Sequence, residues 1–142
     1  MIIDHIGILV KSIEKGIECW SSDFGYKQMT DIVINSRQKV KVVFMNKKNS
    51  VTVKLVEPID ETSPVYNAAK RGGGLHHICF KCERIETELI NLKKNGLRVI
   101  NPPEPGEAFN NNNIAFLIHK LGLNIELIDT DEKAGVIKKI KK

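Results

Sequence analysis

Gly74-Leu75-His76-His77-Ile78 places a histidine pair inside an apolar segment, and His5 interrupts the apolar segment Ile3-Asp4-His5-Ile6 near the start of the chain. When the sequence is compared with itself at a shift of 72 residues, His5-Ile6 aligns with His77-Ile78. The same shift places Phe44 on Phe116 and Leu55 on Leu127. Two copies of one structural unit are therefore predicted.

Hydrophobic periodicity has the same order in both copies. In the first copy it predicts a strand over 3–10, a helix capped by Ser12 and ended by Gly25, and strands over 28–34, 40–45 and 51–57. In the second it predicts a strand over 75–82, a helix ended by Gly96, and strands over 97–100, 114–119 and 123–129. The expected fold class is α+β, with two tandem βαβββ modules forming a curved, partly closed mixed sheet around a cavity.

The length of 142 residues, 42% of them hydrophobic, predicts a single domain. Module one is expected over 1–57, a linker helix over 58–73, module two over 74–130, and a basic tail over 131–142. Within the linker, Ser63-Pro64 predicts an N-cap followed by proline at the first helical position, and the helix should extend to about Lys70. The tail is expected to be solvated. Residues 102–106 and 110–113 predict a polar loop, which is either a lid over a site or a plain surface loop.

Charge and composition narrow the class of function. The net charge of +5 fits an acidic small molecule or nucleic acid, but the basic tail supplies part of it, and aromatic residues make up only 6% of the chain. With no helix-turn-helix or aromatic sheet motif, a small anionic ligand is expected, and nucleic acid is not. No apolar run approaches the ~20 residues of a membrane span, and the N-terminus lacks a signal-peptide pattern, so a cytoplasmic location is predicted. Of the three cysteines, Cys79 and Cys82 of the isolated C-x-x-C are expected to be reduced packing residues.

Polar residues inside apolar strands are informative because burying them costs free energy unless a partner satisfies them. His5, His77 and Glu126 all have this setting, and Lys54 is the repeat partner of Glu126. A pseudo-two-fold axis would bring these four side chains together. Two imidazoles and a carboxylate form a triad suited to a divalent metal ion with open positions for substrate oxygens. The alternative is a pair of satisfied core histidines beside a Glu126–Lys54 ion pair.

The residues also resemble a known superfamily over nearly the whole chain. The similarity rests on Asp4-His5-Ile6-Gly7, Gly74 to Ile78, Ile85 to Gly96, Ile114 to Leu117 and Ile125-Glu126-Leu127. These segments resemble the vicinal oxygen chelate superfamily, the glyoxalase and bleomycin-resistance group, and most closely its methylmalonyl-CoA epimerase branch. The resemblance implies that His5, His77 and Glu126 bind a divalent metal, which would be Co, Mn, Zn, Ni or Fe.

Three departures from the family pattern affect the expected chemistry. Lys54 stands where the family has a Glu or Gln ligand, and a protonated lysine does not ligate a metal. The strand over 40–45 lacks the carboxylate that serves the family's epimerase as an acid/base. The loop after the prolines has Glu107 and no histidine.

The resulting expectation is a metal-dependent, enolate-forming isomerase or epimerase, or a glyoxalase-type lyase, acting on a small anionic substrate such as an acyl-CoA thioester. Glu126 is the expected proton carrier and Glu107 a second candidate. Lys54 would either stabilise the oxyanion or act as a base, and a Lys54–Glu126 pair working without metal stays open. The alternative function is non-catalytic small-molecule binding of the bleomycin-resistance type. A homodimer is expected.

Overall fold

The computed structural model describes residues 1–138. Module one contains β1 (Ile2–Leu9), α1 (Ile13–Phe24), β2 (Lys27–Gln28), β3 (Val33–Asn35), β4 (Val40–Asn46) and β5 (Thr52–Pro58). A short linker helix, α2 (Tyr66–Lys70), follows. Module two contains β6 (Gly74–Lys81), α3 (Ile85–Lys94), β7 (Arg98–Gly106), the 3-10 turn Glu107–Phe109, β8 (Asn112–Ile118) and β9 (Asn124–Ile128). Within residues 1–138, no helix has the length and apolar character needed to cross a membrane.

One mixed sheet joins the two modules. Its strand order is β2-β4-β5-β1-β6-β9-β8-β7, and β3 also pairs with β4. The repeat-related strands β1 and β6 are antiparallel neighbours at the centre. On the outer side of each lies its own parallel partner, β5 beside β1 and β9 beside β6. The predicted α+β fold is confirmed, and the pairing of β1 with β6 places the two modules about a pseudo-two-fold axis.

The period of two in a strand separates a helix face from a cavity face. In module one, Ile13 of α1 packs with Val43 and Leu55 on one face of the sheet. In module two, Ile85 of α3 packs with Leu127 on the equivalent face. Residues at the alternating positions, including Phe44 of β4, belong to a different cluster on the opposite face. The polar residues His5, Lys54, His77 and Glu126 also occupy positions that alternate with the helix-facing ones.

Both main helices end where the sequence indicates. The Ser12 side chain accepts a hydrogen bond from the Lys15 N–H at 3.3 Å, and Gly25 ends α1 in the left-handed region at φ 73°. The predicted start of the linker helix is wrong. α2 begins at Tyr66, and Ser63 caps nothing: its buried hydroxyl has no hydrogen-bond partner among the described residues.

Two predictions for irregular segments are also wrong. The expected strand over 28–34 is divided into the short strands β2 and β3. The proline segment is not a loop, because β7 continues through it to Gly106 along β8, with register shifts near Asn101. Proline is tolerated there because β7 is an edge strand and because register shifts between Asn101 and Glu104 interrupt its pairing with β8.

The described part of the C-terminal segment is bound to the rest of the protein and is not a freely solvated tail. The Ala134 N–H donates to Ala108, the Asp31 N–H donates to Gly135, and the Ile137 N–H donates to Met29, with N···O distances of 2.8–3.0 Å. Residues 139–142 of the predicted tail lie outside the described residues.

Candidate active site

The four central strands each supply one buried polar side chain to a single cluster. His5 comes from β1, Lys54 from β5, His77 from β6 and Glu126 from β9. Their exposed fractions are between 0% and 2%. The structure thus brings together the four residues that the repeat predicted would meet.

Three ligand atoms form a nearly equilateral triangle. His5 Nε2 and His77 Nε2 lie 3.2 Å apart, and they are 3.0 and 3.2 Å from Glu126 Oε1. Two ligands about 2.1 Å from a metal ion, at adjacent corners of an octahedron, lie about 3.0 Å apart. The triangle therefore has the dimensions of one face of a metal coordination shell. Neither oxygen of Glu126 accepts a well-aligned hydrogen bond among the described residues, although both are fully buried.

Each histidine has a hydrogen-bond partner at Nδ1, on the side of the ring away from this triangle. Asp4 Oδ2 lies 2.7 Å from His5 Nδ1, so the tautomer with its proton on Nδ1 donates to Asp4 and presents the Nε2 lone pair to a metal. His77 Nδ1 lies 2.8 Å from His76 Nδ1, and donation by His77 there leaves its Nε2 bare as well. Metal-binding histidines in proteins use this arrangement to fix the tautomer and the ring orientation.

Burial and charge set the protonation states. Burial lowers the pKa of His77 to about 4, despite the opposing effect of Glu126, so the ring is neutral near pH 7. Burial alone would raise the pKa of Glu126, but the positive charge of Lys54 holds it well below its ordinary value. Burial would likewise raise the pKa of Asp4, yet the hydrogen bond to His5 and the Lys133 charge hold it low. The cluster therefore contains a neutral His77 imidazole and an ionised Glu126 carboxylate, the forms that bind metal.

Lys54 takes the position at which a fourth ligand would stand. Its Nζ lies 3.5 Å from Oε2 of Glu126, whereas both histidines contact the other carboxylate oxygen, Oε1. It also lies 5.2 Å from the centroid of the Phe109 ring and 5.8 Å from that of Phe44, at distances that allow cation–π attraction. Three side chains are thus placed as potential ligands of a divalent ion, and the charge of the ammonium group beside them would oppose its binding.

Gly7 makes room for the cluster. It is the direct register neighbour of Lys54 on β5 and of His77 on β6. A Cβ atom at Gly7 would stand 2.1–2.5 Å from three atoms of the His77 ring, which is too close for any contact. His77 therefore occupies the space above a residue that has no side chain. The motif Asp4-His5-Ile6-Gly7 contains the signal for this role, but the sequence alone did not reveal it.

A cavity of about 260 Å³ opens onto the cluster. His77 and Lys54 reach it, whereas His5 and Glu126 do not line it. Its other walls are largely apolar, as expected of a small-molecule site. Its polar lining residues are Arg37, Gln38, His76, Asn101, Glu104 and Asn124.

Glu104 is the one carboxylate among the described residues that line the cavity, and the sequence alone does not single it out. The sequence predicts a loop there, but β7 extends through Glu104 and directs it to the cavity lining. Glu107, the carboxylate that the sequence suggested, does not line the cavity. It accepts hydrogen bonds from the backbone N–H and hydroxyl of Ser36 at the surface. The prediction of Glu107 as a proton carrier is therefore not supported by its position.

The three cysteines are free. Cys79 is buried on the cavity face and Cys82 is partly buried, while Cys19 is exposed on α1. The expected packing role of Cys79 and Cys82 thus fits their burial. Burial raises the pKa of the Cys79 thiol well above its ordinary value, so this thiol stays protonated and inert.

Two βαβββ modules that join in one sheet and share a His, His, Glu cluster define a glyoxalase-like protein. In agreement, residues 4–116 match the Glyoxalase/Bleomycin resistance protein/Dioxygenase superfamily, and the chain belongs to this family. It is 34% identical over 116 residues to Uncharacterized protein YqjC of Bacillus subtilis, with 81% of each chain covered.

Other relatives are epimerases. The chain is 26% identical over 133 residues to the mitochondrial methylmalonyl-CoA epimerase of Dictyostelium discoideum, covering 92% of this chain and 78% of the relative. A variant of the Streptomyces coelicolor methylmalonyl-CoA epimerase, solved in complex with 2-nitronate-propionyl-CoA, superposes with a TM-score of 0.80 at 26% identity. That match covers 97% of this chain and 99% of the epimerase chain.

Proposed function

We propose that this protein is an enolate-forming epimerase or isomerase of acyl-CoA thioesters, with a divalent metal ion held by His5, His77 and Glu126. The observation that carries the proposal is the triangle formed by Nε2 of His5, Nε2 of His77 and Oε1 of Glu126. Its sides measure 3.0–3.2 Å, and it lies next to a cavity. Support comes from epimerase relatives and from a structural neighbour that was solved with an acyl-CoA analogue.

The size of the cavity fits the acyl end of such a substrate. A volume of about 260 Å³ lies just below the usual range of ligand pockets, roughly 300–1,000 Å³. It accommodates a short acyl group and its thioester but not coenzyme A. The nucleotide part would therefore remain outside, where the net positive charge of the chain attracts its phosphates.

The proposed reaction starts with loss of the proton next to the thioester carbonyl. When bound, a divalent ion supplies Lewis-acid stabilisation of the negative charge that develops on the carbonyl oxygen. Lys54 reaches the cavity and presents an ammonium group to the same oxygen, so it shares this stabilisation. The apolar walls exclude water and strengthen both interactions.

Epimerisation needs two proton carriers because the proton leaves one face of the substrate carbon and returns to the other. Glu126 does not line the cavity, but it lies 3.5 Å from Lys54, which does, so we assign the first role to the Lys54–Glu126 pair. Glu104 extends from the edge strand β7 into the cavity lining, and we assign it the second role in place of Glu107. An enzyme that used only one of these two proton carriers would exchange the substrate proton without inverting the carbon.

Deuterium exchange tests this function directly. Protein purified without chelator and supplemented with Co²⁺ would be incubated with methylmalonyl-CoA in heavy water, and mass spectrometry would follow label at the α-carbon. We expect exchange by the wild type, and at least a hundredfold slower exchange by His77→Ala. Glu104→Gln should retain exchange but lose inversion, measured with a single starting epimer. Lack of exchange in the wild type, with any metal or with a panel of acyl-CoA thioesters, would refute the proposal.

Ligand binding without chemistry is the second candidate, and Lys54 favours it. An ammonium group in place of a fourth ligand, 3.5 Å from Glu126, gives the carboxylate an internal partner and reduces its need for a metal. In that case acyl-CoA should bind to the metal-free protein with unchanged affinity while exchange stays absent. Isothermal titration with and without chelator separates the two functions.

We further propose a homodimer, supported by the large apolar side chains of Ile2 and Ile3, which are exposed at the start of the central strand β1. Light scattering would measure the mass directly. A monomer at micromolar concentration would contradict the proposal.

The cytoplasmic location stays a prediction.

A further inference from the structure

A second buried lysine lies behind the cluster, and it comes from outside the two modules. Lys133 follows β9, and its side chain is only 7% exposed. Its Nζ is 3.2 Å from Oδ1 of Asp4 and 3.2 Å from Oδ2. Asp4 Oδ2 is in turn 2.7 Å from His5 Nδ1. The three residues form a chain of contacts that runs from the C-terminal segment to a proposed metal ligand.

The segment that carries Lys133 is fastened on both sides of it. Before Lys133, Asp131 pairs with Lys81, and the Asn112 side chain donates to Glu132 at 2.7 Å. After it, the Ala134 N–H donates to the Ala108 carbonyl at 2.9 Å. Burying a lysine is costly unless its charge is compensated, and Asp4 is its only ion-pair partner within residues 1–138. The geometry is thus that of a cation held against Asp4.

We propose that Lys133 is a positioning residue that acts through Asp4. By holding the Asp4 carboxylate in place, Lys133 keeps Asp4 in contact with Nδ1 of His5 and so fixes the orientation of the His5 ring, with Nε2 toward His77 and Glu126. The C-terminal segment is then a part of the active site, although it contributes no group that touches substrate. This inference rests on the proposed function only for its effect on metal affinity, because the contacts of Lys133 with Asp4 and of Asp4 with His5 exist without any metal.

A matched control separates positioning from simple anchoring. Lys81 forms the other lysine–aspartate contact of the same segment, through Asp131, but it lies at the surface and does not contact the cluster. Lys81→Met therefore loosens the segment without touching Asp4. Lys133→Met removes the contact with Asp4 and leaves the backbone hydrogen bonds of the segment available.

The first measurement is the contact between Asp4 and His5 in metal-free protein, read from the exchange with water of the Nδ1 proton of His5 in ¹H–¹⁵N spectra. We expect slow exchange in the wild type and in Lys81→Met, because the hydrogen bond to a fixed Asp4 protects this proton. In Lys133→Met the exchange should become faster, because Asp4 is no longer held. Lys133→Arg keeps the cation and should retain slow exchange, which also provides a test if Lys133→Met fails to fold. Wild-type exchange in Lys133→Met, or fast exchange in Lys133→Arg, would overturn the proposal.

The second measurement is Co²⁺ affinity, followed by the visible absorption of the bound ion. Loss of an outer contact to a metal ligand usually costs about 10- to 100-fold in affinity, which we expect for Asp4→Asn. Lys133→Met, one step further out, should cost about 3- to 10-fold, and it should cost nothing more in the Asp4→Asn background. An equal loss of Co²⁺ affinity in Lys81→Met would contradict action through Asp4. So would a further 3- to 10-fold loss when Lys133→Met is added to Asp4→Asn. If the wild type bound no Co²⁺, the metal function would fail, and the exchange of the His5 Nδ1 proton alone would decide the role of Lys133.

Discussion

Substitution of Gly7 by alanine tests whether close packing of His77 holds the site together. The new Cβ would lie 2.1 Å from the nearest ring atom of His77, whereas carbon atoms in contact are about 3.5 Å apart. The ring must therefore move by about 1.4 Å, away from Glu126 and His5. Forcing extra atoms into a packed core costs about 1–3 kcal/mol, and displacement of His77 from its buried partners places this case near 2–3 kcal/mol. For a chain of this size the thermal midpoint should fall by about 5–10 °C.

The assay combines thermal unfolding, followed by circular dichroism, with the Co²⁺ affinity of the folded protein. Gly16→Ala is the matched control, because its Cβ meets Leu55 at 3.1 Å on the helix face, far from the cluster. Alanine is favoured over glycine in a helix, so the control should change stability by less than about 1 kcal/mol. Gly7→Ala should also weaken Co²⁺ binding at least tenfold, while Gly16→Ala should not. Wild-type stability and affinity in Gly7→Ala would refute the packing argument.

Acid should destabilise the metal-free protein. The pKa of His77 is about 4 in the folded protein and about 6.5 in the unfolded chain, so between these pH values the unfolded chain binds more protons. The free energy of unfolding should therefore decrease by about 3 kcal/mol as the pH falls from above 6.5 to about 4. Urea unfolding in the presence of chelator, repeated at several pH values, would measure this decrease. In His77→Gln the free energy of unfolding should depend less steeply on pH, and an equal pH dependence in both proteins would contradict the prediction. Lys54→Met should bind Co²⁺ at least about tenfold more tightly, because a neighbouring positive charge is removed; unchanged affinity in titrations would show that Lys54 does not oppose the metal.

The cluster was predictable from the sequence because two local rules act together. The strand period of two puts His5 and Glu126 on the face opposite to the helices, and the 72-residue repeat says which strands are equivalent. These rules give the positions of the residues but not the orientation of their rings. The contacts of Asp4 with His5 and of His76 with His77, which set the tautomers, depend on side-chain torsions that no pattern encodes.

The missed residues come from segments whose structure is decided by long-range contacts. Glu104 was assigned to a loop because three prolines surround it, and only the position of β7 at the edge of the sheet makes that segment a strand. Lys133 was assigned to a solvated tail because its surroundings are polar. The segment is held by backbone hydrogen bonds and by Asp4, and neither leaves a periodic signal in the sequence.

The charges of the cluster explain why a lysine is compatible with a metal site in this protein. Asp4 and Glu126 are two carboxylates, and Lys133 and Lys54 are two ammonium groups, each 3.2–3.5 Å from one carboxylate. The cluster is therefore neutral without metal when both histidines are neutral, and it is stable in that form. A divalent ion adds two positive charges, and the anionic substrate that enters with it removes part of that excess. Metal and substrate should consequently bind more tightly together than either does alone, a coupling that the replacement of Lys54 by methionine would weaken.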